Sequence, residues 1–508
     1  MKANQGDTMV LIAMYLGLKG EQIMRTKVLA GTIAVLAVIL LTSVAVAQYP
    51  VQTIGQGNSD IWVMNLDETD VANVVASYVD QDGNVDASVG GPIASMGNTS
   101  FPAASSGLGN NWLGSMVLFS DKPLASLAEL YWQNVPTGDG WSGAGYSGYS
   151  EGANDLFFPY IMKTKHQRSI ATIQCVDTVD CDITMVYRDR DGNLVAGTYQ
   201  DTIEPDSQES YDPWDLNPNV PSLPAGWFGA LRVTSAQDIA GVVVMHWRQG
   251  YASAYNSFVP ADDTEIYMPF IKRRDFTGSW GGVSDWSSII VQNMATYPIT
   301  VYHSYYDRTG GAPLLTFSDT IPALASQGYN TRYGINGLTP EIYNPLGNRF
   351  LGSAIVTSTD PIVAACSTIR VPLGGLAGSY QGSPGGSGKL IFPRLYRTKN
   401  GGAWTGYSGL IVQNLDPDNS ADVHVEFLDS DGTLGVQFDD TIPANASHGY
   451  NTRYDADQPA GIFNGLGTNW SGSAIITTDN VVGIVGITQD HVAGVGYLYH
   501  MMYDGLVE

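Results

Sequence analysis

The sequence predicts an all-β protein built from four antiparallel β-sandwich repeats in tandem. The clearest sign is an internal repeat, because residues 319–333 ("DTIPALASQGYNTRY") and 440–454 ("DTIPANASHGYNTRY") differ at only two of fifteen positions. Within each copy the apolar residues recur with a period of two, as in a strand, and not with the roughly 3.6 of a helix. Turn-forming residues separate these runs roughly every 8–12 residues, a spacing typical of sandwiches.

The repeat extends beyond this twin phrase. Each copy carries an aromatic–proline segment, a "VQN"-type segment, the phrase itself and a "GSAI"-type segment, in that order. Two more copies lie upstream, and the first of them is the least similar to the others. The predicted units are residues 48–150, 151–260, 261–383 and 384–508. We therefore expect a modular scaffold whose function is spread along its length.

The strand pattern is clearest in "ADVHVEFLD", residues 421–429. Val423, Val425 and Phe427 fall on one face, and His424 and Glu426 fall on the other. The following "DSDGT" supplies the Asp and Gly that a hairpin turn needs. This is the pattern of a half-buried antiparallel strand.

Residues 1–47 are predicted to be a secretory signal peptide. Arg25 and Lys27 precede an unbroken apolar run that ends in an A-x-A cleavage pattern at residues 45–47, and Met24 is a candidate for the true start. The alternative is a permanent anchor helix, since the run is almost long enough to span a bilayer. No second run of that length follows, so residues 48–508 are expected to be extracellular or at the cell surface, without a membrane span.

Composition narrows the classes of partner. The net charge is −25, and only 14% of residues are charged, against about 25% in a typical protein. This acidity argues against nucleic acids and anionic membranes. The 58 Gly and 28 Tyr residues are typical of an extracellular β-protein with tight turns.

Two of the three cysteines are predicted to form a disulfide. Cys175 and Cys181 bracket a short turn in "CVDTVDC", and the chain is expected to be exported to an oxidising compartment. Metal ligation would need partners that this stretch does not supply. Cys366, in an apolar run, is expected to be a buried thiol.

Asp-rich turns recur in three of the units. Two interpretations stay open, a plain hairpin turn and a calcium loop, although the rest of an EF-hand loop is missing. No other cofactor is expected. The candidate calcium ligands are Asp80, Asp82, Asp189, Asp191, Asp429 and Asp431.

The sequence does not predict an enzyme. Gly148-Tyr149-Ser150-Glu151-Gly152 matches G-x-S-x-G, but it lies in a Gly/Ser-rich connector with no helix signal after it, so we interpret the match as accidental. The seven histidines form no H-x-H or H-E-x-x-H pair, so a zinc site is not expected.

The twin phrase is interpreted as packing and loop anchoring. The alternative is a shared interface or glycan contact through Tyr329, Arg332, Tyr333, Tyr450, Arg453 and Tyr454. The connectors are rich in aromatic residues that could either stack on sugars or seal the contacts between units: Trp141, Tyr146, Tyr149, Trp280, Trp286, Trp404 and Tyr407. The candidate glycosylation sites are Asn98, Asn445 and Asn469.

The motifs "VQN", D-x-D-G, "DTIPA" and "GSAIV" together resemble tandem Ig-like or fibronectin-like β-sandwich modules of secreted prokaryotic cell-surface, S-layer or filament proteins. The resemblance implies a fold and a location, with no catalytic residues. We accordingly expect a secreted structural protein that self-assembles. The alternative is an adhesin or carbohydrate-binding protein that uses the connector aromatics.

One assembly mode follows from the start of the first unit. "QYPVQTIG" is similar to the aromatic–proline segments, so Tyr49, Pro50, Val51 and Ile54 are a candidate donor strand for the last unit of another copy. Head-to-tail contacts that do not close would give fibres. The alternative is that this strand packs into its own unit.

Overall fold

The computed structural model describes residues 9–10, 13–15, 33–40, 56–109, 112–135, 141–214, 223–276, 284–334, 339–371, 376–453, 458–494 and 497–507. These residues form antiparallel sheets, and the predicted all-β class is confirmed. Trp280 and Tyr454 lie outside the described residues, as does the candidate donor strand of residues 49–54. Within the described residues, no helix is long and apolar enough to cross a membrane.

The strand pairing repeats four times among the described residues. Before the first unit come β1 (Met9–Val10), β2 (Ala13–Tyr15) and β3 (Ile33–Leu40). The first unit contains β4 (Gln56–Asn65), β5 (Ala72–Asp80), β6 (Val85–Ile93), β7 (Asn98–Pro102), β8 (Gly114–Ser120), β9 (Leu124–Gln133) and β10 (Trp141–Ser147). The second contains β11 (Ala153–Thr164), β12 (Gln167–Cys175), β13 (Cys181–Asp189), β14 (Leu194–Ile203), β15 (Gln208–Tyr211), β16 (Trp227–Trp247) and β17 (Ala252–Asn256).

The third and fourth units have the same organisation. The third contains β18 (Glu265–Asp275), β19 (Ser284–Asn293), β20 (Ile299–Asp307), β21 (Leu315–Ile321), β22 (Ser326–Asn330), β23 (Arg349–Ser358), β24 (Ile362–Val371) and β25 (Leu376–Gln381). The fourth contains β26 (Lys389–Asn400), β27 (Ala403–Asn414), β28 (Ala421–Asp429), β29 (Leu434–Ile442), β30 (Ser447–Asn451), β31 (Asn469–Thr478), β32 (Ile484–Gly494), β33 (Tyr497–Asp504) and β34 (Leu506–Val507). Short 3₁₀ helices span Ala103–Ser105, Pro340–Leu346 and Ile462–Leu466.

Each unit is a sandwich-like arrangement of antiparallel strands. In the first unit one sheet has the order β1-β3-β8-β5-β6 and the other β10-β9-β4-β7. In each of the other units a hairpin joins the corresponding strands into one continuous sheet, which in the fourth has the order β29-β28-β31-β26-β27-β32-β33. The place of β26 is taken in the first unit by β3, which pairs with β8.

The core follows the predicted alternation. Val423, Val425 and Phe427 are buried, whereas His424 and Glu426 are partly exposed. Since burying each large apolar side chain stabilises a fold by roughly 1.5–3 kcal/mol, this alternation fixes which face of each strand points inward.

The last residue of β4, β12, β19 and β27 fixes the chain that follows it through its side chain. Asn414 Nδ2 donates hydrogen bonds to the carbonyls of Asn419, Ile442 and Pro443, at 2.8, 3.0 and 3.2 Å. Asn65 and Asn293 make the same three-way contact in their units. The second unit has Cys175 at this position, and the structure joins it to Cys181 in a disulfide.

The four units close into a ring. We name β10, β17, β25 and β33 the inner strands. Each inner strand contacts the next along the chain, and β33 contacts β10. A linear row of units is therefore not what the structure shows.

A second set of contacts runs around the ring in the same direction. The turn at Gly83 lies against Pro205, that at Gly192 against Ala323, and that at Gly310 against Ala444. In the fourth unit the turn at Gly432 lies against Ser95 of the first unit. Each unit thus inserts one hairpin turn against the next, and the last unit returns to the first.

Candidate functional site

The Asp-rich turns are the hairpins that dock between units. Asp80 Oδ1 accepts hydrogen bonds from the backbone N–H groups of Asp82 and Asn84, at 3.0 and 2.7 Å. Asp189 Oδ1 does the same for Asp191 and Asn193, at 3.0 and 2.8 Å.

In the fourth unit Asp431 Oδ1 accepts hydrogen bonds from Thr433, and Asp429 accepts one from the indole of Trp470 at 2.7 Å. The candidate calcium ligands thus close turns. Within the described residues, no group of three or more His, Cys, Asp or Glu side chains is arranged to hold a metal.

The twin phrase serves mainly inside its own unit. Tyr329 Oη donates to Asp319 at 3.2 Å, and Tyr450 Oη donates to Asp440 at 2.9 Å, so both buried hydroxyls are satisfied. Its "DTIPA" part receives the docking hairpin of the preceding unit, through contacts to the carbonyls of Ala323 and Ala444.

The arginines of the phrase stack on aromatic rings. Arg332 lies over the rings of Trp286 and Tyr333, at 4.4 and 4.7 Å, and Arg453 lies over Tyr407 at 4.0 Å. Tyr333 is 61% exposed, so one face of this first cluster reaches solvent.

The remaining connector aromatics form no common platform. Tyr146 is buried, and Tyr149 donates to the Gly241 carbonyl inside the second unit. Trp141 stacks on Tyr131, and Trp404 packs beneath Arg397.

Two of the three sequons are buried. Asn98 is 5% exposed and its Nδ2 donates to the Pro393 carbonyl at 2.8 Å, and Asn445 is 6% exposed in a turn. Asn469 is exposed.

Ser150 of the G-x-S-x-G match, His303 and Cys366 lie in different parts of the fold. The strand β11, and not a helix, follows Ser150. His303 is fully buried among Tyr305, Phe317 and Tyr329, and burial lowers its pKa to about 3. Cys366 is a buried thiol whose pKa burial raises to about 12.

Several strands of each unit lie at sheet edges, and one of them is the second strand of the hairpin that carries the docking turn. We name β6, β14, β21 and β29 the outer strands. Each pairs on one side only within the described part of the chain. An apolar side chain at the start of each outer strand, or directly before it, is 44–59% exposed, namely Val85, Leu194, Leu314 and Leu434. These edges could not be predicted from the sequence, because strand order is not visible in a single repeat.

Charged groups concentrate at two of the junctions between units. Between the fourth and first units, Arg394 forms an ion pair with Glu129 at 2.9 Å and approaches Asp490 at 4.0 Å. Between the third and fourth units, a cavity is lined by Lys272, Arg274 and other cations. The run "IKRRD" at residues 271–275, in a chain with only 24 Lys and Arg residues, was the available sequence signal for this cavity.

No family model matches the chain, and no curated protein matches it. Among solved structures, the crystal structure of Thermotoga maritima 1070 shares 19% identity over 24% of this chain and 96% of its own, with a TM-score of 0.19. A glycoside hydrolase family 32 structure from Bifidobacterium adolescentis shares 9% identity over 90% and 95%, with a TM-score of 0.13. Dimeric latent PorU from Porphyromonas gingivalis shares 10% over 75% and 32%, with a TM-score of 0.12. TM-scores this low carry no argument about this chain.

Proposed function

We propose that this chain is an exported, non-catalytic structural protein of the cell surface, which assembles with copies of itself through its outer strands. The observation that carries the proposal is the set of four unpaired strand edges. An unpaired edge presents N–H and C=O groups on which another strand can add. Export rests on the signal-peptide pattern, whose residues 33–40 form strand β3 beside β8 in the full chain, and is supported by the Cys175–Cys181 disulfide.

The outer strands carry only part of the usual protection of exposed edges. Natural edges are often blunted by lysine, proline or a bulge. The four outer strands contain no Lys or Arg, and an exposed aliphatic residue lies at the start of each strand or directly before it, although β6 contains Pro92 and the hairpin pairings of β6, β14 and β29 each contain a register shift. Such edges favour contact with another copy over solvation alone.

Ring closure favours a lattice over a fibre. Head-to-tail contacts between units are already satisfied within one chain, because the fourth unit contacts the first. Heterologous contacts whose rotation closes leave no free end for growth. Four outer strands repeated around one ring would instead link neighbouring rings in several directions, as in a surface layer.

Charge should govern this assembly. A net charge of −25 makes two copies repel each other at low ionic strength, and salt screens that repulsion over a Debye length of about 8–10 Å. We expect ordered arrays in negative-stain micrographs of the purified chain at about 0.15 M salt, and fewer arrays at low salt.

The deciding variant places lysine at Val85, Leu194, Leu314 and Leu434. We expect it to remain folded and to lose the arrays. A matched control places lysine at four exposed valines away from the outer strands, Val71, Val179, Val259 and Val481, and changes the net charge equally. Arrays that survive the first variant, or vanish equally in the control, would exclude the outer strands as the contact.

Glycan binding is the second candidate function. The exposed ring of Tyr333 beside Arg332 and Trp286 is the observation that favours it. A glycan array probed with the wild-type chain and with Tyr333→Ala tests this, and equal signals from both would reject the cluster.

A further inference from the structure

A cavity of about 220 Å³ lies between the third and fourth units. The third unit supplies strands β18 and β24 to its wall, and the fourth supplies β27, β30 and β32. A volume of this size suits a small molecule and not a polymer.

The walls of this cavity are strongly cationic. Lys272, Arg274, Arg308 and Arg370 come from the third unit and Arg453 from the fourth. These five residues are about a fifth of all the Lys and Arg in a chain of net charge −25. Such a concentration within one cavity creates a positive potential that attracts small anions.

Lys272 is the central group. It is only 6% exposed, and within the described residues its Nζ makes no hydrogen bond or ion pair, lying instead over the Phe270 ring at 4.5 Å. Burial lowers the pKa of Lys272 to about 7, and the charge of Asp285 opposes this effect only in part. An anion in the cavity would supply an ion-pair partner.

Carboxylates offset only part of this charge. Asp285 is fully buried and pairs with Arg274 and, at 2.9 Å, with Arg370. Asp440 pairs with His448 at 2.7 Å. Asp285 therefore holds two guanidinium groups in place at the cavity wall, while Lys272 stays available to a ligand.

The rest of the lining is suited to an organic molecule. Asn451, Gln489 and Tyr407 can exchange hydrogen bonds with it, and Phe270 and Leu376 offer apolar surface. We propose that this cavity binds a small organic dianion, bearing carboxylate or phosphate groups, with Lys272 and Arg370 as the principal cationic contacts.

The second and fourth units lack this lysine. The strand register places Met162 of the second unit and Tyr396 of the fourth where the third has Lys272. It also places Trp247 of the second unit where the third has Arg370. One site per chain is therefore expected.

Titration calorimetry of the purified chain tests the proposal. Succinate and glycerol 3-phosphate represent the two anionic chemistries, and succinamide and glycerol are their neutral counterparts. We expect saturable binding of at least one dianion at one site per chain, and none of the neutral molecules. Absence of binding by both dianions, equal binding of a neutral counterpart, or several equal sites per chain would overturn the proposal.

Variants locate the site. Lys272→Met introduces the residue that the second unit has at the same register position, Met162, so the fold should survive. We expect this variant to bind at least tenfold more weakly. The control Lys165→Met removes one exposed lysine outside the cavity and should bind normally. Gln489→Glu places a carboxylate in the cavity and should also abolish binding. This variant tests the location of the site if Lys272→Met fails to fold. Wild-type affinity in Gln489→Glu and in a folded Lys272→Met would reject the assignment.

Discussion

The backbone N–H of Asn98, in the first unit, donates a hydrogen bond of 2.9 Å to the carbonyl oxygen of Ser430, in the fourth. The side chain of the same asparagine reaches the Pro393 carbonyl at 2.8 Å. These bonds join segments more than 290 residues apart and close the ring. The units are therefore held at both ends, and the fold should unfold with more cooperativity than an open row.

Closure depends on a close backbone approach at Gly432. A Cβ there would lie 2.0 Å from the Ser95 carbonyl oxygen. We expect Gly432→Ala to separate the fourth unit from the first. Overpacking should lower the free energy of unfolding by about 1–3 kcal/mol, in addition to the loss from the strained backbone at this positive φ. Urea unfolding and limited proteolysis measure this.

The control for that variant is Gly401→Ala. Gly401 also has a positive φ, +56° against +85° for Gly432, but a Cβ there meets nothing within 4 Å. It should show only the strain, about 1–2 kcal/mol. Equal losses from both variants would mean that the junction at Gly432 adds nothing to stability.

The twin phrase contains a buried threonine whose hydroxyl joins two strands. Thr331 Oγ1 donates to the Lys272 carbonyl at 2.7 Å and accepts from the Ser287 N–H at 3.2 Å. Thr331→Val keeps the shape but leaves these groups unpaired, so we expect a loss of about 1–3 kcal/mol in urea unfolding. Thr316→Val, at an exposed position, should change stability little, and a similar loss there would contradict the argument.

The strand class could be predicted because it depends on local pattern. Val423 and Val425 alternate with His424, and this alternation alone predicts which side chains are buried, whatever the order of the strands in the sheet. The Cys175–Cys181 pair was also visible, since both ends of a short hairpin lie in one stretch of sequence.

The ring could not be predicted because it is made largely by backbone atoms. Gly310 packs against the Ala444 carbonyl, and any residue offers that carbonyl. The cationic cavity could not be predicted for another reason. Lys272 and Arg453 are far apart in sequence, and only the packing of two units brings them to the same cavity.

The second unit offers a test of how its disulfide stabilises it. By the chain-entropy model, a bridge across so short a loop contributes about 2 kcal/mol. We expect Cys175→Ser with Cys181→Ser to lose about this amount in thermal or urea unfolding.

The matched variant is Cys175→Asn with Cys181→Ala, the residues that the fourth unit has at Asn414 and Ala421. Asn414 binds three carbonyls, so an asparagine at position 175 should recover part of the loss. A stability no better than that of the serine pair would show that the two anchors are not interchangeable.

Buried acids at the junction of the fourth and first units should make stability depend on pH. Asp490 is fully buried, and burial raises its pKa to about 8. Burial also raises the pKa of Asp60 to about 6 and that of Glu129 above its usual value, although Arg394 opposes this effect for each acid.

A carboxyl group with a raised pKa holds its proton in the folded protein after the unfolded chain has released it. The stability that Asp490 contributes is therefore present at low pH and is lost as pH rises from about 4 towards 8. We expect Asp490→Asn to match the wild type below about pH 4, where the acid is protonated in both states, and to be more stable at pH 8 by at least about 1.4 kcal/mol, the value of one pKa unit. Urea unfolding at both pH values measures the difference. Asp479→Asn, at an exposed aspartate, should show no such divergence, and parallel curves for Asp490→Asn and the wild type would contradict the raised pKa.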